Sequence, residues 1–235
     1  MALPILNETI KYDLIIPSTK QAITYRPYLV KEEKVLLQAF ESNDRKIQMR
    51  AMVDIVTACV TEHVNGDTLT TFDIEYIFTR LRAKSVGESS TLELTCGADD
   101  CEARSEYVVD LSSLEVQQDK EISNIIKLTD TIELELKYPS YTSFVDNYKE
   151  NMSESSFGMM MVEECILSVN TPDERITEWT KEEMESFIDS MTSNQFSSVG
   201  AFLNNQPVLR QEAEYKCVAC GTENKVKLEG LQDFF

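Results

Sequence analysis

From residue 30 onward the hydrophobic positions switch between a helical period and an extended one, and each switch marks an element boundary. Val35, Leu36, Leu37 and Phe40 form one apolar face of a helix that begins near Val30. Asn43 or Asp44 can cap the next helix, in which Ile47, Met49, Val53, Val56 and Val60 recur at helical spacing. The Asn65-Gly66 pair, tolerant of a left-handed backbone, is read as its end. A third helix is predicted from about Thr71 to Val86, with Ile74, Ile77, Phe78 and Leu81 inward. Arg80, Arg82 and Lys84 crowd its last turn, where cations oppose the helix dipole favourably.

Gly87 ends that regime. TLELTC, SEYVVDL and TIELELKYP alternate apolar and polar residues, so a small antiparallel sheet is expected, closed by Pro139. YTSFVDNYKEN and SSFGMMMVEECILSV read as helices, and NTPDERITEW as a connecting loop. Thr180 and Glu183 make a capping box for KEEMESFIDSM. A helix from about Ser193 to Leu203 precedes Pro207 and a last hairpin.

The fold expected is α+β: a mainly helical body with a small antiparallel sheet and a zinc-ribbon-like pair of cysteine-knuckle hairpins. Its parts would be an extended N-terminal arm over 1–29 with a strand in KYDLII, a helical bundle over 30–87 and a sheet over 88–139. A helical region over 140–210 and a hairpin with the C-terminal tail over 211–235 would complete one globular unit. No internal repeat interrupts it.

Composition narrows the function. A chain of 235 residues that is 42% hydrophobic can bury a sizeable core. No apolar run reaches the ~18 residues of a membrane span, and MALPILNETIKYD lacks the form of a secretory leader. A soluble protein made in a cytoplasm is therefore expected. The net charge of −19 repels nucleic acid at long range, and no basic run with interleaved aromatics offsets it. Such acidity serves either as a solvated surface or as complementarity to a basic protein partner.

Four of the six cysteines form two close pairs, Cys96 with Cys101 and Cys217 with Cys220. Each pair falls at a turn between two strand-like segments, the frame in which a zinc knuckle presents thiolates. Together they would close a structural Zn2+ site of four sulfurs, with buried thiols or a disulfide as the plainer alternative. A redox role for Cys217-Val218-Ala219-Cys220 requires a helix N-terminus, whereas this pair follows a strand. Cys59 and Cys165 lie in apolar helical patterns and read as core thiols.

Catalytic chemistry finds little to build on. The single histidine, His63, reads as a helix-end or surface residue, and no phosphate loop or nucleophile elbow is present. Glu32-Glu33, Glu163-Glu164 and Glu182-Glu183 are adjacent in sequence, so each pair diverges on its helix. Asp99 and Asp100 read as exposed turn carboxylates. No catalytic residue and no small-molecule substrate is expected.

Four phrases carry a family resemblance: YRPYLVKEEK (25–34), FDIEYIFTRLRAKSVGE (72–88), ESFIDSMTSNQF (185–196) and GLQDFF (230–235). In combination they resemble the baseplate hub subunit and hub-assembly proteins of T-even-like contractile-tailed phages. The resemblance implies a non-enzymatic role in building the tail hub, as a hub component or a hub-assembly chaperone, through binding other baseplate hub proteins. It implies work in the host bacterial cytoplasm during assembly, and a place in the virion if the protein stays. Tyr25, Arg26 and Tyr28, and the terminal Phe234 and Phe235, are candidate partner contacts, because Arg and aromatic side chains anchor interfaces. Arg26 can equally pair with a carboxylate of its own fold, and the two phenylalanines can fold back on the last hairpin. The competing function is a zinc-ribbon nucleic-acid-binding or transcription factor. Asp99, Asp100 and Glu102 beside the first cysteine pair disfavour it.

Overall fold

A computed structural model describes residues 10–62, 64–149 and 152–234. The chain divides into two compact units, Met1–Gln117 with Val208–Phe235, and Gln118–Pro207.

The first unit opens with a hairpin. Strands β1 (Tyr12–Ile15) and β2 (Ala22–Tyr25) pair antiparallel, with Tyr12 opposite Tyr25. The strand expected within the N-terminal arm, in KYDLII, is β1, and it is folded onto β2. Helices α1 (Val30–Glu41), α2 (Arg45–Cys59) and α3 (Thr71–Ser85) follow. Leu36, Ala39, Ile55, Val56, Ile74, Ile77 and Leu81 are buried on them. Asp44 caps α2 by accepting the Lys46 and Ile47 N–H groups.

α2 ends at Cys59, earlier than Asn65-Gly66 suggests, for a tertiary reason. Val60 forms a β-bridge with Tyr25, and the Arg26 and Thr61 N–H groups donate to Cys59 O and Thr24 O. The chain leaves the helix to lengthen β2's pairing. Asp73 locks the same region: it caps α3 together with Thr70 and accepts both the N–H and the hydroxyl of Ser18. The last turn of α3 holds Arg82 and Lys84, and Arg80 stands before it. Its guanidinium reaches the carbonyls of Leu111, Ser112 and Leu114, and so fixes the turn that follows the next hairpin.

That hairpin is β3 (Ser89–Thr95) with β4 (Arg104–Asp110), and β5 (Glu115–Gln117) follows. A second core lies in this part of the unit, with Val109, Leu111, Leu114, Leu209, Ala213, Leu228 and Phe234 buried together.

The second unit holds a four-stranded antiparallel sheet. Its strands are β6 (Ile125–Lys127), β7 (Glu133–Leu136), β8 (Ile166–Asn170) and β9 (Arg175–Ile176), adjacent in that order. Helices α4 (Tyr141–Asn147) and α5 (Glu154–Cys165) separate β7 from β8, and α6 (Lys181–Asp189) and α7 (Ser193–Asn204) follow β9. Its core contains Leu134, Leu136, Val162, Cys165, Ile166, Val169, Met184, Ile188, Val199 and Phe202. The Thr180–Glu183 capping box is present at the start of α6.

The chain returns to the first unit through β10 (Val208–Lys216) and β11 (Glu223–Glu229). These two pair antiparallel, and β5 flanks β10 on its other side.

The expectation of a mainly helical body is corrected here. The described residues form seven helices and eleven strands in four antiparallel sheets, 39% helix against 26% strand. The fold is α+β, with four sheets beside the helices rather than one small sheet on a helical body. The missed strands are short, and a two- to four-residue strand exists only because another segment pairs with it. The end of α5 shows this directly. Val162, Cys165, Ile166 and Val169 are spaced for one helix face, yet the chain turns extended at Ile166 to pair with β7.

Candidate metal centre

The two long hairpins of the first unit each present a pair of cysteines at the tip. In the first, the Cys96 N–H donates to Ala103 O at 2.9 Å, and the Cys101 N–H to Ala98 O at 3.0 Å. The second is tighter: the Cys217 N–H donates to Thr222 O at 2.9 Å, and the Gly221 N–H to Cys217 O at 3.0 Å. Gly221 has φ +74°, the left-handed conformation the turn requires, which explains a glycine directly after the second cysteine.

The four Sγ atoms lie within 4.8 Å of one another. Cys96 Sγ is 3.6 Å from Cys220 Sγ, and Cys101 Sγ is 3.8 Å from Cys217 Sγ. Both nearest pairs run between hairpins rather than within one, and both are far longer than a disulfide bond. Sulfurs at ~2.3 Å from a central ion in a tetrahedron stand about 3.8 Å apart. The cluster therefore fits a tetrahedral metal ion held by four thiolates, and among the described residues it is the one group with that geometry.

The electrostatics point the same way. N–H groups of Cys220 and Ala219 directed at Cys217 Sγ hold that thiol below its ordinary value. The Thr222 hydroxyl and N–H bring Cys220 down to about 6. Cys101 receives the Ala103 N–H, but the neighbouring sulfurs and desolvation outweigh it and push the thiol up to about 11. The second turn thus favours thiolates, while the neighbouring sulfurs and desolvation hold Cys101 protonated. A divalent cation at the centre would resolve that conflict.

A surrounding shell joins the hairpins. The Asn224 side-chain amide donates to Cys96 Sγ at 3.8 Å, and its oxygen accepts the Gly97 N–H at 2.8 Å. The Val218 N–H donates to the Ser105 hydroxyl at 3.2 Å, and the Tyr215 hydroxyl to Thr95 O at 2.6 Å. Each bond crosses from one hairpin to the other.

Residues 8–235 match the family model described as T4 bacteriophage base plate protein. The chain belongs to that family. No curated protein and no solved structure matches it. Membership sets this chain among the phage base plate proteins. No helix of the described residues is long and apolar enough to cross a membrane.

The remaining sequence-predicted positions of this base plate protein lie apart from the cysteines. Cys59 and Cys165 are buried core thiols, pushed by desolvation up to about 11 and about 12. Tyr25 is buried, with its ring 5.6 Å from that of Tyr12. Arg26 pairs with the buried Glu32 at 2.9 Å and also donates to Pro27 O and Ala58 O. That hydrogen-bonded pairing raises the Arg26 pKa. Burial opposes ionisation of Glu32, but the bonds from Arg26 and the Leu29 N–H prevail and lower it. Tyr28 is half-buried, and its N–H donates to Ser85 Oγ. Phe234 is completely buried in the first unit's core. His63 and Phe235 lie outside the described residues.

Sequence reasoning did not find Asn224, Ser105 or Tyr215. Asn224 had a signal: a side-chain amide four residues beyond Cys220, on the strand leaving the turn, is placed to brace a thiolate.

Proposed function

We propose that this protein is a non-enzymatic part of the baseplate hub, a hub component or a hub-assembly factor, that acts by binding other hub proteins. A structural zinc ion on Cys96, Cys101, Cys217 and Cys220 ties its two long hairpins together. The observation that carries the reading is the match to a base plate family over residues 8–235, which takes in both cysteine pairs and both units.

The site's chemistry supports the structural role of the metal. Four cysteines select a soft or borderline cation, and four protein ligands fill a tetrahedral shell with no position left for water or substrate. The cross-hairpin pairing of sulfurs speaks against a dithiol redox couple, in which Cys217 and Cys220 would be each other's partner. Asp99, Asp100 and Glu102 beside the sulfurs make the tip a poor surface for a phosphate backbone.

Mass spectrometry of purified phage particles beside infected-cell lysate tests the role. Finding the chain in the particle, or in the lysate only on assembling hub intermediates, supports it. A chain confined to lysate fractions that hold no baseplate protein overturns it.

A further inference from the structure

The second unit carries an open groove of about 900 Å³ between α5 and α6. Met152, Met159, Met160 and Trp179 supply its apolar lining, and Met159 is 44% exposed. Glu163 and Glu164 border it from α5, Glu185 and Asp189 from α6. Two lysines oppose these four carboxylates: Lys149, and Lys181, which lies 3.7 Å from Glu185.

The lining follows the two helix axes. Lys181, Glu185 and Asp189 succeed one another at four-residue steps along α6, and Ser156, Met160 and Glu163 follow one face of α5. Groups arranged this way read an elongated partner rather than converge on one atom of a small molecule. The methionines add adaptability, because an unbranched thioether repacks readily against apolar side chains of different shape. Gly158 adds more: it sits mid-helix in α5 with nothing within 4 Å of where a Cβ would stand, so no close packing demands it.

We propose that this groove docks an amphipathic helix of a partner protein, its apolar face on the methionines and Trp179 and its flanking lysines or arginines against Glu163, Glu164, Glu185 and Asp189. Charge complementarity and the linear layout select this occupant. The inference rests on the reading of the chain as an interaction protein and adds the site and the partner's chemistry to it.

Trp179 is the chain's single tryptophan, so emission excited selectively over the nine tyrosines comes from one residue of the groove's lining. The full chain is titrated with a synthetic amphipathic helix of leucine and lysine, and with a glutamate-for-lysine counterpart. The expected result is a saturable shift of Trp179 emission with the lysine peptide, weakened by added salt, and none with the glutamate peptide. Glu163→Lys with Asp189→Lys, checked for folding by circular dichroism, should weaken binding at least tenfold, and Met159→Ser should weaken it as well. Glu106→Lys with Glu121→Lys changes net charge equally at exposed sites that do not line the groove and should leave affinity within about twofold. Equal loss in the two double variants, or an equal response to both peptides, overturns the proposal. Such a failure leaves the hub role standing, because recovery of hub proteins from infected cells is a separate measurement.

Discussion

Cys96 Sγ stands 3.6 Å from Cys220 Sγ although 124 residues separate them in the chain. The second unit, Gln118–Pro207, lies wholly within that interval. Closing so long a loop costs conformational entropy, and a metal ion bound by the four sulfurs would offset that cost in the folded state only. The cysteines therefore matter most for bringing the chain's last hairpin back to its middle.

Cys217→Ser should lower metal content from about one ion per chain to well below one. Free metal a thousandfold above its Kd contributes ~4 kcal/mol to folding, so the variant should lose roughly 8–16 °C in Tm for a chain of this size. Elemental analysis and thermal unfolding check both halves. A metal-free wild-type chain with the same Tm as the metal-loaded one would sink the assignment.

Asn224→Ala should keep the fold and loosen the site. It removes the amide that donates to Cys96 Sγ and the oxygen that accepts the Gly97 N–H. Loss of such an orienting partner typically weakens metal affinity by about 10- to 100-fold. Competition with a chromogenic chelator measures it, and an unchanged affinity would show that Asn224 merely bridges backbone.

Phe234→Ala should destabilise the chain by ~3–5 kcal/mol, because a fully buried aromatic leaves a cavity in the core with Leu209 and Leu228. Urea unfolding reads the change. A loss below about 1 kcal/mol would mean that the last hairpin keeps its packing without this ring.

Glu75 makes stability depend on pH. The residue keeps some exposed surface, but its carboxyl is desolvated and pushed up to about 7, against the lowering bond from the Leu231 N–H. A raised carboxyl binds its proton more tightly in the folded state. Its contribution is present in full below about pH 4.5 and is lost as pH rises to about 7, up to ~3 kcal/mol. Glu75→Gln should therefore gain stability on the parent between pH 5 and pH 8, read as the difference in urea midpoint. A difference that stays constant with pH would show that Glu75 ionises freely in the folded chain.

What the residue pattern showed depended on how local each element is. The cysteine pairs, the Asp44 cap and the Thr180–Glu183 box are legible because each is completed within a few residues. Strands β6 and β9 are not, since three or two residues acquire an extended conformation only by pairing with β7 and β8. Arg80 was misread for a related reason: its helix position suggests a dipole contact, while its partners at Leu111 and Leu114 are visible only in three dimensions. Phe234 stood between two readings in the sequence, and packing places it in the core.

The most direct test of the account is recovery of the tagged full chain from infected cells, with co-purifying material identified by mass spectrometry and assayed for nucleic acid. The account predicts other baseplate hub proteins in stoichiometric amounts and no nucleic acid. Recovery of DNA, or of no tail protein at all, would contradict it.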